Sequence, residues 1–227
     1  MNWRDCVRRT IELEPDSVTI YQMEVPYNTT MFKEMRILGQ TVAPVANWAT
    51  KRDWVSYAFS ELEKVGYTLG SAYTAVRNPS ETRFLYRDLL WKGADMIGLG
   101  VASFSHVNGT HYQNEHDWDP YISKVQQGTL PIWRALTPTD DERMIREFIL
   151  QMKLGHVHSA YFQQKFGVDV HRRFDDPLKR LEEQGLLRMD AESLRLTRDG
   201  LLQVDTLLDR FFLPQHRTDY SPMAGAR

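Results

Sequence analysis

At Pro138 the chain changes texture, and that change limits what it can fold into more than any other feature. Before it, short β-branched or aromatic runs alternate with amphipathic stretches; after it, helical periodicity dominates and one hairpin pattern remains. Strands alternating with helices predict an α/β domain built on a parallel sheet. Residues 7–13 look like the end of a helix, broken at Pro15-Asp16. Residues 17–21 suit a short buried strand, and residues 26–29 a loop after it. Over residues 53–65, Trp54, Tyr57, Ala58, Leu62 and Val65 fall three or four apart, and Gly66 follows as a stop. A further strand is expected within 67–73, whereas 84–91 has no settled period. Residues 96–102 are apolar with glycines at 98 and 100, the pattern of a buried strand that lets something approach its backbone.

Beyond Pro138, Thr139-Asp140-Asp141-Glu142 fits a capping box ahead of the stripe Met144, Ile145, Phe148, Ile149 and Met152. Residues 159–166 predict a second helix closed by Gly167. Asp176-Pro177 opens a third, ended by Gly185. Residues 186–196 read as strand, turn and strand, and Thr197 caps a last apolar helix. Three helices, a two-stranded wing and a trailing helix make a winged-helix-like domain over 137–213, after an α/β portion over 1–136. Residues 214–227 are expected to fray.

Several functions are disfavoured at once. The 28 Lys+Arg and 30 Asp+Glu leave a net charge of −2, so no global pull toward nucleic acid or anionic lipid exists. Residues 137–213 carry 12 basic and 14 acidic side chains, which argues against duplex binding by the winged part. No apolar run approaches the roughly 18 residues of a spanning helix, and the first residues lack a signal peptide's apolar core. The single cysteine, Cys6, excludes a disulfide framework and any iron–sulfur cluster held by this chain's thiolates alone. A reducing, cytoplasmic setting is expected, with no nucleic-acid and no membrane partner.

The residues most suggestive of chemistry lie in two places. Gly98-Leu99-Gly100-Val101-Ala102-Ser103 starts like a dinucleotide fingerprint, but residues 104–110 look like a loop rather than the helix that motif requires. What remains is a glycine-spaced strand end that offers backbone to a ligand. His106, His111 and His116 recur every five residues, a spacing that matches neither a helix face nor a strand face. One or two of them are expected at a pocket rim and the rest in solvent, rather than on a metal. Gln22 and Glu24 share one face of a strand exit.

Taken in order, residues 17–24 (Ser-Val-Thr-Ile-Tyr-Gln-Met-Glu), 95–105 (Asp-Met-Ile-Gly-Leu-Gly-Val-Ala-Ser-Phe-Ser), Tyr112-Gln113-Asn114 and the Leu178…Gly185-Leu186-Leu187…Leu196-Thr197…Gly200 tail resemble the oxygen-independent coproporphyrinogen III oxidases. These are radical S-adenosylmethionine enzymes of haem biosynthesis, with haem chaperones as relatives. The resemblance implies the C-terminal part of a partial (β/α) barrel followed by a small winged-helix-like domain. It also implies that the family's Cys-x3-Cys-x2-Cys loop, which holds a [4Fe–4S] cluster, lies outside this chain, so a missing N-terminal barrel half would be a partner. On that resemblance Gln22, Gly98, Gly100, Ala102, Ser103 and Phe104 would border S-adenosylmethionine. His106, His111 and Tyr112 would rim a tetrapyrrole pocket. The implied reaction is oxidative decarboxylation of porphyrinogen propionates, and this chain alone is expected to be inactive. Two alternatives stand beside it: a cluster-free haem or porphyrin carrier, and a winged-helix interaction module.

Overall fold

The structure, a computed structural model, describes residues 2–23, 25, 29–38 and 46–217. It divides into two compact units, residues 1–83 with 198–204, and residues 84–197 with 205–217. The division expected at 136/137 therefore falls inside the second unit.

In the first unit, α1 (Trp3–Leu13) starts where the Asn2 side chain accepts the Asp5 backbone N–H, so the helix foreseen at 7–13 begins a turn earlier, at a proper N-cap. It is followed by β1 (Ser17–Thr19), α2 (Thr30–Leu38), α3 (Trp48–Lys64), β2 (Thr68–Leu69) and β3 (Thr74–Val76). The strands order β1-β3-β2 and pair antiparallel throughout, Ser17 opposite Val76 and Thr68 opposite Val76. This corrects the expected parallel sheet. Only four residues join β2 to β3, and a parallel return needs a crossover of a dozen or more. Val55, Phe59 and Leu62 of α3 pack with Tyr67, Ala75 and Leu202, the last on a short helix at Arg198–Leu202. The buried stripe runs through Val55 and Phe59, and Trp54 is 47% exposed. Glu24 and residues 26–28, where a strand exit and loop were expected, lie outside the described residues.

The second unit opens with α4 (Leu85–Leu90), which settles the ambiguous stretch as helix. There follow β4 (Phe104–Val107), β5 (Thr110–Asn114), α5 (Trp118–Gln126) and β6 (Ile132–Leu136), an antiparallel sheet in the order β4-β5-β6. Residues 104–110, expected as loop, are a hairpin whose turn is Asn108-Gly109 with φ of 47° and 76°. Two left-handed residues in a row make the tight turn that suits strand twist, and Asn-Gly is the pair that adopts it at least cost. Residues 96–102, expected as a buried strand, instead make one bridge from Met96 to His106 and then leave the sheet. Ile97 and Leu99 are 67% and 87% exposed.

The rest of this unit is α6 (Asp140–Met152), β7 (His156–His158), α7 (Ser159–Phe166), α8 (Val170–Arg173), α9 (Asp175–Glu183), β8 (Leu187–Met189) and β9 (Ser193–Leu196). The capping box forms as its sequence requires: the Glu142 backbone N–H donates to Thr139 Oγ1, and the Thr139 N–H donates to Glu142 Oε2. The β8–β9 hairpin sits where the pattern placed it. The third strand, β7, joins β9 to give the order β7-β9-β8, and three residues are too few to announce a period. Phe148 anchors the interior, with ring centroids 5.7, 4.5 and 5.1 Å from Phe162, Phe174 and Phe211. Contrary to the expected fraying, Pro214–His216 forms a single 3-10 turn, and His216 Nε2 lies 2.7 Å from Glu142 Oε1. Residues 218–227 lie outside the described residues. No helix among the described residues is long and apolar enough to cross a membrane.

Candidate functional site

The hairpin explains the five-residue histidine spacing. A two-residue turn at 108–109 puts residues 106 and 111 directly across the ladder, and the two imidazoles meet with centroids 4.3 Å apart. Side chains opposite one another in an antiparallel pair share a face. Phe104, His106, His111, Gln113, Arg134 and Leu136 therefore lie on one face of β4-β5-β6, and Ser105, Tyr112 and Ala135 on the other. Of the three residues expected at a pocket rim, the structure brings two together and turns Tyr112 away. His106 is only 5% exposed, deeper than a rim position, and its Nδ1 has no hydrogen-bond partner. His116 lies beyond the ladder, its ring 4.5 Å from that of Trp133.

Both imidazoles are held below their ordinary pKa. For His106 burial is the main cause, then the positive charge of Arg146 and the neighbouring His111, with Asp95 and Glu147 acting the other way. For His111 burial again leads, followed by Arg146, against a hydrogen bond to the Ser105 backbone. Unfolded imidazoles protonate near pH 6.5. The folded pair resists protonation, so its contribution to stability is complete above about pH 6.5 and declines as pH falls from there toward the lowered folded values. Thermal melting is expected to drop between pH 7.5 and 5, and His106→Gln should flatten part of that slope. A melting temperature unchanged over the same range contradicts it.

Residues 98–103 form a loop beside β4, closed by the Asn114 side chain. Its Nδ2 donates to the carbonyls of Gly98 and Gly100, at 3.1 and 2.9 Å. The Gly98 N–H donates to Ser105 Oγ, Gln113 Nε2 donates to the Ala102 carbonyl, and Ser103 Oγ donates to the Leu99 carbonyl. Gly100 is needed here because its φ of 99° is a left-handed conformation, and Gly98 because a Cβ there would run into the Phe104 carbonyl. Asn114, which the sequence reading passed over as a site residue, thus builds the loop. The signal was present in the Gln113-Asn114 pair at a strand end, where side-chain amides commonly satisfy a neighbouring loop. Gln22 belongs to the first unit, where its Nε2 donates to the Leu202 carbonyl. Cys6 is half-buried on α1 and lines a cavity of about 270 Å³ with Val7, Thr10, Val18 and Ile20.

A second polar cluster was not foreseen at all. Glu147 on α6 is 4% exposed, and it accepts hydrogen bonds from Tyr161 and from Lys165 Nζ at 2.8 and 2.9 Å. Tyr161 and Lys165 also donate to the Lys92 carbonyl. Gly93 (φ 80°) passes so close to the Glu147 carboxylate that a Cβ would collide with it. Burial, then the Glu147 hydrogen bond and charge, push the Tyr161 phenol well above its ordinary value, so it remains a donor.

Residues 139–202 match the family model described as the HemN C-terminal domain. Over that stretch the chain is similar to the HemN C-terminal domain. It is 30% identical over 135 residues to the oxygen-independent coproporphyrinogen III oxidase of Pseudomonas aeruginosa, an alignment covering 56% of this chain and 29% of that protein. It is 26% identical over 113 residues to the heme chaperone HemW of Bacillus subtilis, covering 49% and 30%. Its fold matches the solved structure titled "Coproporphyrinogen III oxidase (HemN) from Escherichia coli is a Radical SAM enzyme", with TM-score 0.71 and 19% identity over 92% of this chain and 50% of that one. The HemN-like chain thus has the α/β fold of that structure and spans half its length. The HemN C-terminal match contains all of α6 and with it Arg146, Glu147 and Phe148.

A radical S-adenosylmethionine enzyme needs a [4Fe–4S] cluster, normally held by several thiolates. The chain has one cysteine, and no group of three metal-ligating side chains occurs among the described residues. Its own residues do not fit the cluster. The Gly98 N–H and the Gly98, Leu99, Gly100 and Ala102 carbonyls of the loop bond to side chains of the loop and hairpin.

Proposed function

We propose that the chain serves as the C-terminal portion of a coproporphyrinogen-oxidase-like protein, presenting a tetrapyrrole to radical chemistry generated elsewhere. The observation that carries this reading is the HemN C-terminal match over 139–202 on a chain with a single cysteine. In this reading a segment bearing the three-cysteine loop is a partner that supplies cluster and radical. The exposed Leu99 then borders the S-adenosylmethionine side, while His106 and His111, with Phe104 on the same face, support the tetrapyrrole side. The β7-β9-β8 sheet with α6, α7 and α9 is read as a winged-helix-like module, and residues 1–136 as the end of a partial barrel. A cytoplasmic setting follows from the same reading.

The protein's own residues bind, orient and shield; the hard chemistry belongs to the cofactor. The two functions separate in one experiment on the whole chain. Coproporphyrin III should quench intrinsic tryptophan fluorescence saturably at one equivalent. Anaerobic reconstitution should leave less than one iron per chain and no 5′-deoxyadenosine. Absence of saturable quenching overturns the tetrapyrrole reading, and about four irons per chain overturns the need for a partner. A cluster-free carrier of the heme-chaperone type is the second reading, favoured by the resemblance to HemW.

A further inference from the structure

One face of the β4-β5-β6 sheet carries an unusual imbalance. Phe104, His106, His111, Gln113, Arg134 and Leu136 lie on it, without a single carboxylate. Arg134 donates Nε to Gln113 Oε1 and lies over the Trp133 ring, but has no carboxylate partner among the described residues. Arg146 is half-buried on α6, with no hydrogen bond or ion pair to its guanidinium among the described residues. The helix runs against the hairpin: a Cβ on Gly109 would lie 2.9 Å from an Arg143 guanidinium nitrogen. Arg146, three residues on, follows on the same side of the helix, and its charge is felt by both imidazoles.

Glu147, the next residue on α6, steadies the Arg146 charge without forming an ion pair with it, and the nearby carboxylates have other partners. Glu147 is taken by Tyr161 and Lys165, Asp95 accepts the Asn108 backbone N–H, and Asp140 pairs with Arg143. A half-buried guanidinium without a counterion is costly, and a site that tolerates one is prepared for an anion. The apolar residues are exposed too: Phe104 at 56% and Leu136, across from His111, at 62%.

We propose that this face seats a carboxylate arm of an apolar ring molecule, with Arg146 and His111 holding the carboxylate and Phe104 and Leu136 lying against the ring. His106 beneath His111 is a positioning residue. The carboxylate seat stands on the geometry above, whereas the ring's identity as a tetrapyrrole rests on the reading under Proposed function. Seating the anion draws one proton from solvent onto His111, whose surroundings otherwise keep it neutral: Arg146 from α6, His106 from β4 and Arg134 from β6 are cationic or neutral. Asp95 and Glu147 are the acidic groups near the pair. Affinity therefore rises as pH falls.

The test uses the full chain with ring-15N-labelled histidine and sodium propionate as probe. Propionate should move the His111 ring nitrogens saturably, with affinity about tenfold tighter at pH 6.0 than at 7.5. Arg146→Gln should weaken it about tenfold or more, and Arg146→Lys should keep part of it. No movement at His111, or equal affinity at the two pH values, overturns the seat even if Arg146→Gln fails to fold. Coproporphyrin III and its tetramethyl ester then separate the two claims. If propionate binds as expected and coproporphyrin III does not bind, the seat stands and the tetrapyrrole reading falls. If coproporphyrin III binds wild type, Arg146→Gln and Arg146→Lys equally, or the ester binds as tightly as the acid, the seat falls and the tetrapyrrole reading stands.

Discussion

Replacing Phe148 with alanine is expected to lower stability by about 3–5 kcal/mol. The side chain is fully buried and lies against Phe162, Phe174 and Phe211, rings contributed by α7, the residue between α8 and α9, and a 3-10 turn near the C-terminus. Those rings come from far-apart stretches of chain and cannot close together over the vacancy, so the cavity persists and the upper part of the range applies. Chemical denaturation monitored by near-ultraviolet circular dichroism checks it. Phe148→Leu should lose clearly less, because it keeps most of the volume. A loss under about 1 kcal/mol for the alanine variant means that the four rings do not form the centre of this unit.

The second large effect concerns Glu147. Its carboxylate sits inside the unit with only a phenol and a partly exposed ammonium as partners. Glu147→Ala leaves Tyr161 Oη with the Lys92 carbonyl, and Lys165 Nζ with that carbonyl and Tyr161 Oη, as acceptors and opens a space beside Gly93. Removing one member of a buried ion pair costs about 3–5 kcal/mol. Because Lys165 keeps 38% of its side-chain surface, about 2–3 kcal/mol is expected here. Glu147→Gln should recover part of it by accepting the tyrosine hydrogen bond. Denaturant midpoints for the two variants, with Tyr161→Phe as the third corner, separate charge from hydrogen bond. Equal midpoints for wild type and Glu147→Ala remove the cluster from any structural account.

The contrast between what residues 139–202 and residues 96–114 disclosed in advance has a physical basis. Helices α6, α7 and α9 carry their own punctuation: a Thr139–Glu142 capping box, a Gly167 stop, a first-turn Pro177. Such signals act within four residues, and the chain obeys them. Residues 96–102 looked like a strand because they are apolar. Yet Gly100 and Ala102 have positive φ, and Asn114, from the next strand but one in sequence, supplies the loop's hydrogen bonds. That arrangement depends on partners 14 and 16 residues away. The hairpin at 104–114 was legible and was missed: Asn108-Gly109 is the strongest short turn signal available, and with it the histidine spacing becomes a cross-strand pair. Strand direction was beyond local pattern. Helix–strand alternation suggested parallel pairing, and the three-residue strands β1 and β3 pair antiparallel across 55 to 59 positions. The Glu147 cluster was hidden for the same reason, since nothing near Lys92 in sequence announces Tyr161 or Lys165.

Strand β6 has a single neighbour, β5, among the described residues, and four of its five side chains are exposed. Its outer border presents main-chain donors and acceptors beside Trp133 and Leu136, with Arg134 the one charge to discourage company. Such a rim is a template onto which another extended chain can be laid. Concentrated solutions of this polypeptide should therefore self-associate through that rim, and Ala135→Lys, on the face away from His111, is the least intrusive way to keep it dispersed.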